Sequence, residues 1–127
     1  MLNKKLETTY LAISEVILPD IAQNDDLKIA FYENFSIFFE SLDKDSIAQL
    51  KLLIKVLDVL SIIYTFKKID SLSIEQRTNF LDKIQNFPIA KIVGGFTGLR
   101  SLSLMSFYSM PKAWPTIGYE GSSLAQN

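Results

Sequence analysis

Apolar residues recur every three or four positions along most of the chain, the spacing of one face of an α-helix. Leu6, Tyr10, Ile13 and Ile17 predict a first helix over about 4–18, ended by Pro19. Asp20 to Asp26 read as a polar connection, with Asn24, Asp25 and Asp26 available as caps. Phe31, Phe35, Phe38 and Leu42 set a second helix over about 27–42, its stripe widened by Ile37 and Phe39. Asp43-Lys44-Asp45-Ser46 separates it from a third helix over about 46–66, apolar on nearly every side, with Lys51, Lys55 and Asp58 as a thin polar edge. A helix of that kind is expected at the centre of a bundle. Ser73 and Gln76 fit a capping box that opens a fourth helix over about 74–86, with Phe80, Leu81 and Ile84 turned inward. Phe87-Pro88 stops it, and a fifth helix follows over about 89–108. No segment sustains period-two alternation, so the expected fold is all-α: one domain over 1–127, a bundle of about five helices.

Two features break this pattern. Gly94, Gly95 and Gly98 lie inside the fifth helix, where three glycines cost roughly 2–3 kcal/mol against alanine. The expected compensation is a smooth strip against which the crowded third helix packs closely. A phosphate loop needs a different glycine pattern, and a membrane G-x-x-x-G dimer needs a spanning segment. The second break is the segment over 109–121, where Pro111 and Pro115 rule out a helix. This extended strap carries Trp114, Ile117 and Tyr119, after Phe107 and Tyr108 at the helix end. Such aromatics are expected to dock, either back on the bundle or on another protein. Residues 122–127 read as a frayed end.

The composition narrows the chemistry. There is no Cys among the 127 residues, which removes disulfides and thiolate chemistry, and no His, which removes the commonest general base and metal ligand. The net charge of −1 offers no field for nucleic acid, and the basic residues are not interleaved with exposed aromatics. Charge is mildly asymmetric, with 6 basic and 10 acidic residues in the first 63 positions and 7 and 4 in the rest. Lys55, Asp58 and Arg100 interrupt the longest apolar runs, so no membrane span is expected, although peripheral contact with a membrane stays open. The amino-terminal residues show no apolar signal core and no twin arginine, which points to the cytoplasm, or to the periplasm only if the chain is carried by a partner.

Asp25, Asp26, Asp43 and Asp45 fall at helix starts, where capping accounts for them, and no calcium-loop pattern surrounds them. No catalytic, metal or cofactor-binding residue emerges. Arg100 stands alone among apolar neighbours, and its guanidinium calls either for a structural carboxylate or carbonyl, or for an anion on a partner or ligand. Tyr10, Tyr32 and Tyr64 read as core edges with their hydroxyls reaching water.

The string Phe107-Tyr108-x-x-Pro111-x-x-Trp114-x-x-Ile117-Gly118-Tyr119-x-Gly121 resembles the close of a small helical module found with flavin oxidoreductases of the glucose–methanol–choline type. That module is fused ahead of the flavin domain in long-chain alcohol oxidases, and is similar to the separate subunit 3 of gluconate 2-dehydrogenase. Ile17-Leu18-Pro19 resembles the end of the module's first helix, and Arg100 stands where an arginine is frequent. The Tyr-Gly-Gly-Asn box of the gluconate subunit is missing, which favours the cytoplasmic, alcohol-oxidase-like version. The resemblance implies a non-catalytic accessory subunit that binds and stabilises a separate FAD-dependent alcohol or sugar dehydrogenase or oxidase. The flavin would belong to the large subunit, with no cofactor in this chain. Arg100, Phe107, Tyr108, Trp114, Ile117 and Tyr119 are the expected partner-binding residues.

A reading from another class is a stand-alone module that binds a fatty or other apolar ligand between the second, third and fifth helices. A pocket of about 300 Å³ or more would support it.

Overall fold

Asn3 opens the first helix: its side-chain oxygen accepts the Leu6 N–H at 2.9 Å, satisfying a donor that has no partner within the helix. The computed structural model describes residues 2–110, which form α1 (Lys4–Ile17), α2 (Pro19–Ala22), α3 (Asp25–Glu40), α4 (Lys44–Thr65), a 3₁₀ turn (Ile69–Ser71), α5 (Ile74–Gln85) and α6 (Ala90–Tyr108). No strand occurs among the described residues, so the all-α expectation holds. Trp114, Ile117, Tyr119 and most of the expected strap, with the tail at 122–127, lie outside the described residues.

The helix ends follow local chemistry. Asn24 caps α3 by accepting the Leu27 N–H, and Asp43 caps α4 by accepting from both the N–H and the hydroxyl of Ser46. Because Asp43 is the cap, α4 begins at Lys44, two residues before the expected start. The capping box of α5 is complete, with Ser73 and Gln76 each accepting the other's backbone N–H. The connection expected over Asp20–Asp26 holds the short α2 instead. Pro19 ends α1 but sits at the first position of the next helix, where its fixed φ suits a helical start.

The core is organised around α1, which touches α2, the 3₁₀ turn, α4, α5 and α6, while α3 and α6 form the most extensive helix pair. Tyr10 of α1 stacks on Phe35 of α3 with centroids 4.1 Å apart, Phe35 stacks on Phe39 at 5.5 Å, and Phe107 of α6 meets Phe31 edge-on at 6.3 Å. The buried stripe of α3 is therefore Phe31, Phe35 and Phe39, with Phe38 and Leu42 half-buried and Ile37 outward, which corrects the expected widening by Ile37.

Two further expectations are corrected. The hydroxyl of Tyr10 does not reach water; the residue is fully buried and its hydroxyl lies 2.6 Å from Ser103 Oγ on α6. Helix α4 is not central: only one side is covered, and Leu52, Val59, Ile62, Ile63 and Tyr64 face outward.

Polar ties lock the elements together. Arg77 of α5 is buried and donates to the carbonyls of Leu72 and Ala12 and to Glu15 Oε1. Asp58 of α4 accepts the Ile69 N–H at 3.1 Å, anchoring the 3₁₀ turn. Asn34 of α3 donates to the Ser106 carbonyl at 2.6 Å and to Ser109 Oγ at 2.8 Å, fixing the point at which the chain leaves α6.

Candidate functional site

Between α4 and α6, with Leu42 from the end of α3 at one side, lies a cleft of about 890 Å³. Leu50, Leu53 and Val56 of α4 face Ile92, Leu102 and Met105 of α6 across it. The only charged residue on its lining among the described residues is Lys91, at the first turn of α6. Leu52, Gly94, Gly98, Ser101 and Met105 are exposed, so this is a surface cleft and not an enclosed void.

The glycines set its shape. A Cβ added at Gly95 would meet Leu53 Cδ1 at 3.3 Å, a tight but adjustable contact with a side-chain end. At Gly94 and Gly98 it would meet nothing within 4 Å. The expected close packing of the strip against the third helix of the sequence reading, here α4, is therefore absent at both. Close approach of α6 to the core is provided by serines: Ser103 and Ser106 are fully buried, and each turns its hydroxyl back to a carbonyl of its own helix, at Leu99 and Leu102. Gly94 and Gly98 thus carry the helix penalty of glycine while opening the cleft floor to within reach of the α6 backbone.

The expected partner-binding residues divide by their side of α6. Arg100 and Tyr108 are both exposed and lie eight residues apart, which puts them on one outward strip two turns apart, about 12 Å. Arg100 has no ion pair or hydrogen bond among the described residues, so the structural carboxylate weighed for it in the sequence is not found there. The buried arginine is Arg77. Its signal was legible, since Arg77, Phe80, Leu81 and Ile84 share one helical face, but periodicity registers only the apolar members of such a face. Phe107 is 1 % exposed and packs on Phe31; it holds the end of α6 to α3 and edges the ring of Tyr108 at 5.2 Å.

Two hydroxyls on α3, those of Tyr32 and Ser36, are buried without a hydrogen-bond partner among the described residues, so, against expectation, the Tyr32 hydroxyl, like that of Tyr10, does not reach water. Burial, and then the nearby charge of Glu7, push the Tyr32 hydroxyl up to about 12. Among the described residues, no helix is long and apolar enough to cross a membrane.

The chain matches no protein-family model, no curated protein and no solved structure.

Proposed function

We propose that this chain is a non-catalytic accessory subunit that binds and stabilises a separate FAD-dependent alcohol or sugar dehydrogenase or oxidase, with the flavin held by that large subunit. The observation that supports it is the pair Gly94 and Gly98, exposed inside a helix with open space where side chains would stand. Nothing in the fold around them calls for glycine, and a partner segment laid in the cleft can approach the α6 backbone there. Arg100 and Tyr108, exposed on the same helix outside the cleft lining, add a cation and a large amphipathic ring to the accessible surface of α6, residue types that dominate interface energetics. The proposal keeps Trp114, Ile117 and Tyr119 as further contacts, since they follow α6 directly.

Co-expression with a flavoprotein of this class and affinity capture test the reading. Gly98→Leu fills the cleft and Tyr108→Ala removes an exposed ring of the same helix; each weakens capture by about tenfold or more, and so does Trp114→Ala. A flavoprotein that assembles equally well with all three variants would sink the proposal.

The cleft volume also favours the second reading, an apolar ligand with an acidic head. About 890 Å³ is within the range of small-molecule sites, and Lys91 stands at one end of an otherwise apolar lining. Displacement of a fluorescent fatty acid from the purified chain, weakened by Lys91→Ala and abolished by Gly98→Leu, supports that alternative; no displacement removes it.

A further inference from the structure

The outward side of α4 carries a pattern that begins at the cleft edge, where Leu52 and Val56 stand, and runs on past it through Val59, Ile63 and Phe66, which the cleft does not reach. Leu52, Val56, Val59, Ile63 and Phe66 follow one another at spacings of four, three, four and three residues. That is the spacing of a two-helix coiled-coil seam, with β-branched Val56, Val59 and Ile63 following Leu52. Four of the five face solvent, Leu52 being 61 %, Val59 54 %, Ile63 61 % and Phe66 90 % exposed, and Val56 is half-buried. A straight run of this kind covers about 21 Å of helix. Phe66 adds a second anomaly, because it closes α4 in the left-handed conformation (φ 63°), where glycine is usual. A bulky ring held in a strained backbone and left almost wholly in water is doubly unfavourable for the isolated chain.

We infer that this seam is a homodimer contact in which α4 packs antiparallel against α4 of a second copy. The row is its own complement. A twofold axis passing between Leu57 and Asp58 brings Val56 opposite Val59 of the other copy, Leu52 opposite Ile63, and Gln49 opposite Phe66, so every layer but the outermost pair is aliphatic. The ends agree in net charge. Exposed Asp43, Lys44 and Asp45 give the start of α4 a net negative charge, and exposed Lys67, Lys68 and Asp70 give the segment just past its end a net positive one, so the antiparallel arrangement sets a net acidic end against a net basic one. It also opposes the two helix dipoles. A parallel pair would set like charges together. Lys55, the basic residue beside the seam, faces the apolar Ile62 of the other copy in this register.

The exposed seam and its flank amount to on the order of 500 Å² per copy, the size at which an apolar patch marks an interaction site. Burying it in both copies gives roughly 1,000 Å², at the low end of specific interfaces, so the dimer is a weak one, formed at micromolar concentrations.

Sedimentation of the full chain across concentrations up to about 0.1 mM reads this directly. The mass rises from 14.4 kDa toward twice that value, and Ile63→Lys, at an exposed position, returns it to 14.4 kDa with unchanged helical circular dichroism. The absence of natural cysteines makes the orientation readable. A mixture of Leu52→Cys and Ile63→Cys chains forms the mixed disulfide on oxidation, while Leu52→Cys alone forms none. A monomer at every concentration overturns the inference and leaves the seam to a different protein. A dimer indifferent to Ile63→Lys places the contact elsewhere and overturns it equally. Disulfides between two Leu52→Cys chains mean a parallel pair and overturn the stated geometry.

Discussion

Arg77 on α5 donates to Glu15 on α1 at 2.7 Å, and the second oxygen of Glu15 holds Lys28 of α3 at 3.0 Å, so one carboxylate joins three helices. The rest of the guanidinium is bonded to the Leu72 and Ala12 carbonyls, which have no other side-chain donor among the described residues. Arg77→Leu strands the Leu72 carbonyl, takes the second bond from the Ala12 carbonyl and leaves Glu15 half-served; the expected loss is about 3 kcal/mol, read as a fall in thermal midpoint. Arg77→Lys recovers little, since one ammonium cannot span both carbonyls.

The same pair has a pH signature. Burial pushes the Glu15 carboxyl up, but Arg77 and Lys28 outweigh it and hold it below its ordinary 4.5. A depressed carboxyl stabilises the fold at pH above its unfolded value and stops doing so as pH falls through the folded one. Glu15→Gln is therefore destabilising at neutral pH, and its difference from the native chain closes in acid below the ordinary carboxylate range. A difference constant with pH would show that Glu15 acts through packing alone.

These ties show what periodicity conveys and what it leaves out. The five long helices, the capping box of Ser73 and Gln76 and the inward Phe80, Leu81 and Ile84 follow from local pattern, and local chemistry governs them in the folded chain. The position of α4 did not follow, because a helix apolar on all sides looks the same whether its second face meets a core or waits for another molecule. Composition along one helix cannot say how many neighbours there are. Arg77 escapes a periodicity reading because a cation on an apolar face shows its purpose only when Ala12 and Glu15, more than sixty positions away, come into view. The Gly94–Gly98 strip is legible as an oddity, but its partner is not, because small residues signal room without saying what fills it.

Tyr10 and Ser103 form another long-range polar contact. Ser103 donates its hydroxyl proton to the Leu99 carbonyl at 2.8 Å, so Tyr10 is the donor in the 2.6 Å bond between them. The two deletions are then unequal. Tyr10→Phe leaves Ser103 with its Leu99 bond and costs about 1 kcal/mol, whereas Ser103→Ala leaves the Tyr10 hydroxyl buried without an acceptor and costs about 2 kcal/mol. Burial also pushes the Tyr10 hydroxyl above its ordinary 10.0. A raised phenol stabilises the fold below its unfolded value and loses that contribution as pH climbs past it, so Tyr10→Phe flattens the decline in stability above about pH 10. Denaturant midpoints at neutral and alkaline pH check both statements.

Phe66 should be replaceable at a gain. Its left-handed backbone costs a residue with a Cβ roughly 1 kcal/mol, and at 90 % exposure the ring contributes little packing to its own chain. Phe66→Gly keeps the closing bond from the residue 66 N–H to the Ile62 carbonyl and raises the stability of dilute, monomeric protein by about that amount. A loss of stability would mean that the ring has a packing role within the monomer.

The three glycines of α6 separate stability from function in one series. Gly94→Ala and Gly98→Ala place a methyl in open space and remove the glycine penalty, so each raises the unfolding free energy by about 1 kcal/mol. Gly95→Ala brings its methyl to 3.3 Å from Leu53, which has to shift, and gains less. If the cleft has an occupant, the order reverses on binding: the alanines at 94 and 98 narrow the floor the occupant approaches, and the variants that melt highest bind least. Melting midpoints and capture by the flavoprotein, measured on the same three variants, decide the matter, because a series in which stability and binding rise together would mean that the glycines keep no space for a partner.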